Sequence, residues 1–474
     1  MLGDSERLNL LTFASSFGRW RLRLQSSLKS ANTIKFSAGV ILMAAPAIVF
    51  YALLWKTAFP YPLADDYDVF LRFVNTVSQL GSFSSRLLCA ITAEHNGYKL
   101  MLDNFVALAQ YTLCGHIVFL PLVALGDMFA LLIFGVTCSM SQIARGNTPA
   151  RFLLLAPTAF LVLQLQYASA LNFASCSLQQ LPVIFFSFLA ILLLTKPSLT
   201  SFTGACLAIA LAVASSPNGF FVVPVGIVLL IQMRQWRRLI PLVGCAAALV
   251  AIYAFRYQRT PTDSASYGSA GNFTHFNIVY AISFLGSSAA RFTSIKPSLV
   301  LGLLLSVLFV VAAGRKYFAK NPAIFYCMAF IMINAVAVSG LRSDQGVVQS
   351  LASRYRIFSN LLLAFSYMYI LEDLLPLVKS VALRRSFLVT AAAVSVAFCA
   401  LSDVAGARFL EGKKEMVSAQ FAAQWHAQAS GAPVANSFAN PALSRQLNAG
   451  IFDVDLPVLR ESVRLNVFTP PGQP

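Results

Sequence analysis

Residues Lys35–Trp55 read KFSAGVILMAAPAIVFYALLW, and from Phe59 the chain continues FPYPLADDYDVF. The first run is apolar over the roughly 17–25 residues that a bilayer-crossing helix needs. A helix is the natural form for it, because it satisfies its own backbone hydrogen bonds in lipid. Trp55 ends the run as an interfacial aromatic. The chain ahead of it is basic, with Arg7, Arg19, Arg21, Arg23, Lys29 and Lys35, so the positive-inside rule keeps residues 1–34 in the cytoplasm. Leu11, Phe13, Phe17, Trp20 and Leu24 give this arm the pattern of an interfacial amphipathic helix. The stretch beginning at Phe59 is therefore expected on the far side, which in a bacterium is the periplasm.

The rest of the chain repeats the pattern. Its 474 residues are 58% hydrophobic and 11% charged, against about a quarter charged in a soluble domain. This composition predicts an all-α polytopic membrane protein, which in a bacterium would lie in the inner membrane. The net charge of +17 fits basic cytoplasmic loops rather than a nucleic-acid partner. No small-residue cleavage site follows the first run, which reads as a retained span. The eight cysteines have no metal spacing, and most sit in apolar runs as small hydrophobes. Only Cys89 and Cys114 share a loop, and a disulfide between them is not the expectation.

Further spans are expected at 117–140, 152–167, 181–195, 200–214, 220–233, 239–255, 297–313, 322–339, 357–371 and 386–402. With the first, these make about eleven transmembrane helices. The count puts Arg145, Arg151, Lys196, Arg234, Arg237, Arg238, Arg315, Lys316, Lys320, Lys379, Arg384 and Arg385 in the cytoplasm. It divides the chain into the arm 1–34, a membrane domain 35–402 with outer loops 56–116, 256–296 and 340–359, and a short periplasmic C-terminal tail 403–474. In the first loop Phe70, Phe73, Val74, Val77 and Leu80 fall at helical spacing. A second amphipathic piece runs over 98–113, where Asp103, Asn104 and Gln110 argue against burial in lipid. Both are expected as juxtamembrane helices lying along the membrane surface. A weaker amphipathic piece is expected at 276–290, a short helix at 442–448 and extended chain at 469–472. No internal repeat is visible, which counts against a transporter made of two matching halves.

Charge is scarce, so its clusters mark candidate chemistry. Asp65 and Asp66 follow Pro60 and Pro62 just past the first span. Adjacent carboxylates against an apolar surface suit a general base, and a solvated loop acid or a helix N-cap at Asp66 is the plainer alternative. Glu94-His95 precedes the turn signal Asn96-Gly97. The pair could serve as a base, a metal ligand or a donor to phosphate. No metal-binding spacing such as HExxH is present, so no cofactor is expected, and a divalent metal has no support in the sequence. Arg342, Arg354 and Arg356 fall in a loop assigned to the outside, around Ser353-Arg-Tyr-Arg. Guanidinium groups there suit an anionic ligand at headgroup depth, with snorkelling to lipid headgroups as the alternative. On an extended chain Arg354 and Arg356 share a face, whereas on a helix they diverge by about 200°. Lys99, Arg291 and Lys296 are weaker candidates for the same role, and His275 lies in the 256–296 loop.

Taken together, an N-in first span, Asp65-Asp66 at the start of the first outer loop, Glu94-His95 near its end and Ser353-Arg354-Tyr355 in a late outer loop resemble the bacterial integral-membrane glycosyltransferases of the GT-C fold. The resemblance covers most of 30–402. It implies a sugar donor on a polyprenyl phosphate, a glycan or lipid acceptor, and membrane lipids as surroundings. It also implies Asp65 or Asp66 as the base at the acceptor, and Arg354 with Tyr355 on the donor phosphate, supported by Arg342 and Arg356. Glu94, His95 and Lys99 are then acceptor or donor contacts. Related chains often carry Arg after Glu-His. Asn96 stands there in this chain, leaving Lys99 as the substitute cation. Two other functions share the outer arginines: a transporter or flippase of lipid-linked solutes, and a polymerase or ligase of lipid-linked glycans. Ion-coupled transport is disfavoured by how few ionisable residues fall within the expected spans.

Overall fold

The computed structural model describes residues 33–146, 148, 150–257, 276–290, 295–430 and 449–469. Residues 1–32 of the expected arm 1–34, His275, Arg291, the piece at 442–448 and residues 470–472 of the piece at 469–472 lie outside the described residues. The apolar run that opens the chain forms α1, Thr33–Thr57. A π-helical turn, Tyr67–Arg72, leads into α2, Phe73–Ser78. Then comes α3, Phe83–Thr92, whose first turn is capped by Ser82 accepting from the Ser85 amide at 3.1 Å. Strands β1 (Glu94–His95) and β2 (Tyr98–Lys99) pair antiparallel across Asn96-Gly97. Both turn residues have positive φ, 51° and 76°, as a two-residue hairpin of this hand requires. Helix α4, Met101–Cys114, ends at Gly115 in the left-handed region.

The chain then runs through α5 (Phe119–Met140), α6 (Arg151–Val162), α7 (Ala174–Leu194), α8 (Leu199–Ser215), α9 (Val222–Gln232) and α10 (Trp236–Ala254). After these come α11 (Ile278–Leu285), α12 (Ile295–Gly314), α13 (Pro322–Arg342), α14 (Arg356–Tyr369), α15 (Val381–Ser430) and α16 (Ala449–Arg464). The protein is all-α and polytopic. Among the described residues eight helices are long and apolar enough to cross a membrane, and eight of the expected spans fall on them. The spans expected at 152–167, 200–214 and 220–233 fall on shorter apolar helices, Arg151–Val162, Leu199–Ser215 and Pro217–Gln232. Helix α6 is short because Leu163 leaves helical geometry (φ −93°, ψ 78°) and the chain continues as a 3-10 turn, Leu165–Ala170. The 98–113 and 276–290 pieces form α4 and α11, and neither is among the helices long and apolar enough to cross a membrane.

Polar contacts sort the helix ends into two groups. At one end Glu372 accepts from Ser141 Oγ and the Gln142 amide (both 2.8 Å), from Tyr317 Oη (2.8 Å) and from Asn321 Nδ2 (2.9 Å). It thereby ties together the ends of α5, α12 and α14 and the start of α13. Arg315 and Lys320 pair with Asp373 beside it, at 2.6 and 3.1 Å. Arg238 at the start of α10 donates to the Lys196 carbonyl at the end of α7. At the other end the first loop meets the end of α10, where Tyr257 Oη donates to the Gly97 carbonyl at 2.6 Å.

The tail does not begin where the last span was expected to end. Helix α15 runs unbroken from Val381 to Ser430, so the expected last span and the first part of the tail are one helix. The tail part of α15 and α16 fold back on the first loop. Tyr67, Phe70, Val74 and Val77 are buried with Phe421, Val458, Leu459 and Phe468. Asn75 Nδ2 donates to the Val458 carbonyl and the Ile117 amide to Val467. The apolar face expected on the membrane surface is thus covered by protein, as is α4, whose Asp103 and Asn104 are buried.

Candidate functional site

A pocket of about 210 Å³ opens where the first loop meets α7, the turn after α8 and the α13–α14 connection. Asp65, Arg342, Arg354, Gln179, Gln180, Ser216 and Asn218 supply polar lining, with Tyr98 and Tyr355 as aromatic walls. Residues more than 280 positions apart in sequence are thereby brought to one cavity.

The two adjacent acids separate completely. The Asp65 side chain is about half exposed (53%) and faces His95, with Oδ1 3.5 Å from Nε2. Asp66 is 1% exposed. It accepts from the Ser175 amide (2.8 Å) and the Leu63 amide (3.1 Å). It makes no cap to its own helix; it caps the first turn of α7 from a distant loop. Burial pushes its carboxyl up to about 7, against the pull of the two amides. Asp66 is thus a structural tie, and Asp65 is the accessible carboxylate.

His95 sits between acids, with Nδ1 3.9 Å from Asp68 Oδ2 and its ring 11% exposed. Asn96 Nδ2 stands 2.8 Å from His95 Nε2. While Nε2 accepts that bond, the ring proton is on Nδ1; donation from Nε2 to Asp65 needs the other tautomer and a reversed Asn96 amide.

Arg354 lies in a 3-10 turn, Ser353–Tyr355, that ends as α14 begins. Ser353 fixes the turn by donating to the Gln166 carbonyl (2.9 Å) and accepting from the Ser169 amide (3.3 Å). The guanidinium carbon stands 5.2 Å from the centroid of the buried Tyr355 ring, which packs on Phe284 at 5.2 Å. Arg356 turns away into a separate, mostly apolar groove between the 3-10 turn at 165–170 and α15. The divergence expected of a helical arrangement is what the structure has, and Arg356 does not share a cavity with Arg354.

Lys99 and Glu94 also lie off the pocket. Lys99 is fully buried, and its Nζ donates to the Phe255 carbonyl at 2.5 Å. Burial lowers its proton affinity, with Glu94 opposing. It pins the hairpin to the end of α10 and is no substitute for an arginine in the pocket. Glu94 lines a second cavity on the other side of His95. Among the described residues no cluster of three His, Cys, Asp or Glu side chains could hold a metal, and all eight cysteines are free thiols.

Sequence reading missed Tyr98, Gln179, Gln180 and Asn218. The amides follow or interrupt polar stretches at successive helix ends, and that recurrence on one end of the molecule was the available signal. No family model matches the chain, and no curated protein or solved structure does either. Function is therefore read from the site's own chemistry.

Proposed function

We propose that the protein is a GT-C-type membrane glycosyltransferase of the bacterial inner membrane. It moves a sugar from a polyprenyl-phosphate donor to a periplasmic glycan or lipid acceptor. The observation that carries this is one half-exposed carboxylate, Asp65, facing the same cavity as two guanidinium groups, Arg342 and Arg354. A glycosyl phosphate needs cations where the leaving oxygen develops charge and a base at the acceptor hydroxyl. Asp65 takes the acceptor proton and the new glycosidic bond forms at the anomeric carbon. The carbon–oxygen bond to phosphate breaks, with its electron pair leaving on the phosphate between the arginines. Gln179, Gln180 and Asn218 line the same cavity and, in this reading, hydrogen-bond the transferred sugar.

The two groups of helix ends support eleven crossings. Each of the three short helices has its ends among opposite groups, and the basic end that carries Arg315, Lys320 and Arg238 suits the cytoplasm. The site, the first loop and the tail then lie in the periplasm.

The test is binding of polyprenyl-phosphate sugar to the purified protein and to Arg354→Ala. Losing a charge-assisted bond costs about 1.5–3 kcal/mol, so donor affinity should fall roughly ten- to a hundredfold. Arg354→Lys should rescue it only in part, because an ammonium cannot make the paired contact. Equal binding by both variants returns Arg354 to headgroup snorkelling.

A further inference from the structure

The second cavity adjoins the first at the Asp65–His95 contact. It encloses about 240 Å³ between the π-turn, α2, α3 and the hairpin, and Asp68, Arg72, Thr76, Glu94 and His95 supply much of its polar lining. Its charge is opposite to that of its neighbour. Arg72 is held by Asp68 at 2.9 Å, and Glu94 adds a second carboxylate. The neighbouring pocket sets two arginines against one aspartate. An anion is therefore repelled from the first-loop cavity and drawn to the other. The volume falls below the roughly 300–1,000 Å³ of drug-sized sites, which suits one ring rather than an extended chain. Carboxylates, a hydroxyl and an imidazole in the lining, together with Phe73, suit a polyhydroxylated ring.

We infer that this cavity is the acceptor subsite, holding a single neutral or amino-bearing sugar unit whose hydroxyl reaches Asp65 past His95. The inference rests on the transferase reading for its role, while the binding itself is independent of it. The two cavities give the substrates separate approaches, with the phosphate end arriving among the membrane helices and the sugar acceptor from the extramembrane cap. A lipid anion is excluded as the unit bound here by the charge of the lining.

The experiment is saturation-transfer NMR on the full chain in detergent, with glucosamine, glucose and glucuronate as probes. Thr76→Trp, at an exposed position on the rim, fills the cavity, and Glu94→Gln removes one charge. Arg354→Ala is measured in parallel, with polyprenyl phosphate as its probe. Signals are expected for glucosamine and glucose but not glucuronate. They should be lost in Thr76→Trp, weakened several-fold for glucosamine in Glu94→Gln, and unchanged in Arg354→Ala. Saccharide signals that survive Thr76→Trp, a preference for glucuronate, or no signal from the wild type would each overturn the inference. Unchanged polyprenyl-phosphate binding in Arg354→Ala would count against the transferase reading alone.

Discussion

Asp65 and Asp66 share a backbone and almost nothing else. One faces a cavity and a histidine, and the other is held by the Leu63 amide of its own loop and the Ser175 amide at the start of α7. That difference has a thermodynamic signature. The folded Asp66 carboxyl holds its proton to about pH 7, whereas the unfolded chain releases it near 3.8. Between those values the native state binds more protons, so stability falls as pH rises and levels off above 7. The slope from one such group approaches about 1.4 kcal/mol per pH unit. Buried Asp103, raised by burial and by Asp66, has the same sign. The melting temperature of the wild type should therefore drop from pH 5 to pH 7, with a flatter profile in Asp66→Asn. Asp65→Asn should leave the profile as it is. A profile of Asp66→Asn parallel to the wild type would mean that Asp66 does not titrate in this window.

The elements that hold the pocket depend on close approach more than on charge. On α15, a Cβ at Gly406 would stand 2.3 Å from Leu165 Cβ and 2.5 Å from the Leu165 carbonyl. This glycine lets α15 seat on the 165–170 turn, which in turn holds Ser353 and so the Arg354 backbone. Gly406→Val should cost about 1–3 kcal/mol by overpacking and weaken donor binding, read by thermal melts and lipid-binding titration. Unchanged binding would disconnect α15 from the site. Little of this was legible beforehand. The periodicity of Phe70, Val74 and Val77 marked a buried face, but the pattern is the same whether lipid or protein covers it. The covering residues, Phe421, Val458 and Leu459, lie far along the chain. The acids and arginines of the site stood out because charge is rare in so apolar a chain. Gln179, Gln180 and Asn218 did not, since uncharged polar residues at helix ends serve caps and turns equally well.

For the whole molecule, hydropathy identified where the helices lie, and the proposed alternation of their ends sets a topology that fusions test. A reporter active only in the periplasm should be active when fused after Pro474 and inactive after Arg238. An inactive C-terminal fusion would put the tail, and the first loop packed on it, in the cytoplasm. The central claim is that this molecule transfers a sugar with Asp65 as base and a lipid phosphate as leaving group. It is tested most directly by the release of free polyprenyl phosphate when acceptor glycans are added to purified protein loaded with polyprenyl-phosphate sugar. The wild type should release it, and Asp65→Asn should do so at least a hundredfold more slowly while melting like the wild type. Asp66→Asn should retain transfer in proportion to its folded fraction. Full-rate release by Asp65→Asn, or donor binding with no release by the wild type across a range of acceptors, would contradict the account, and the second result would favour a flippase.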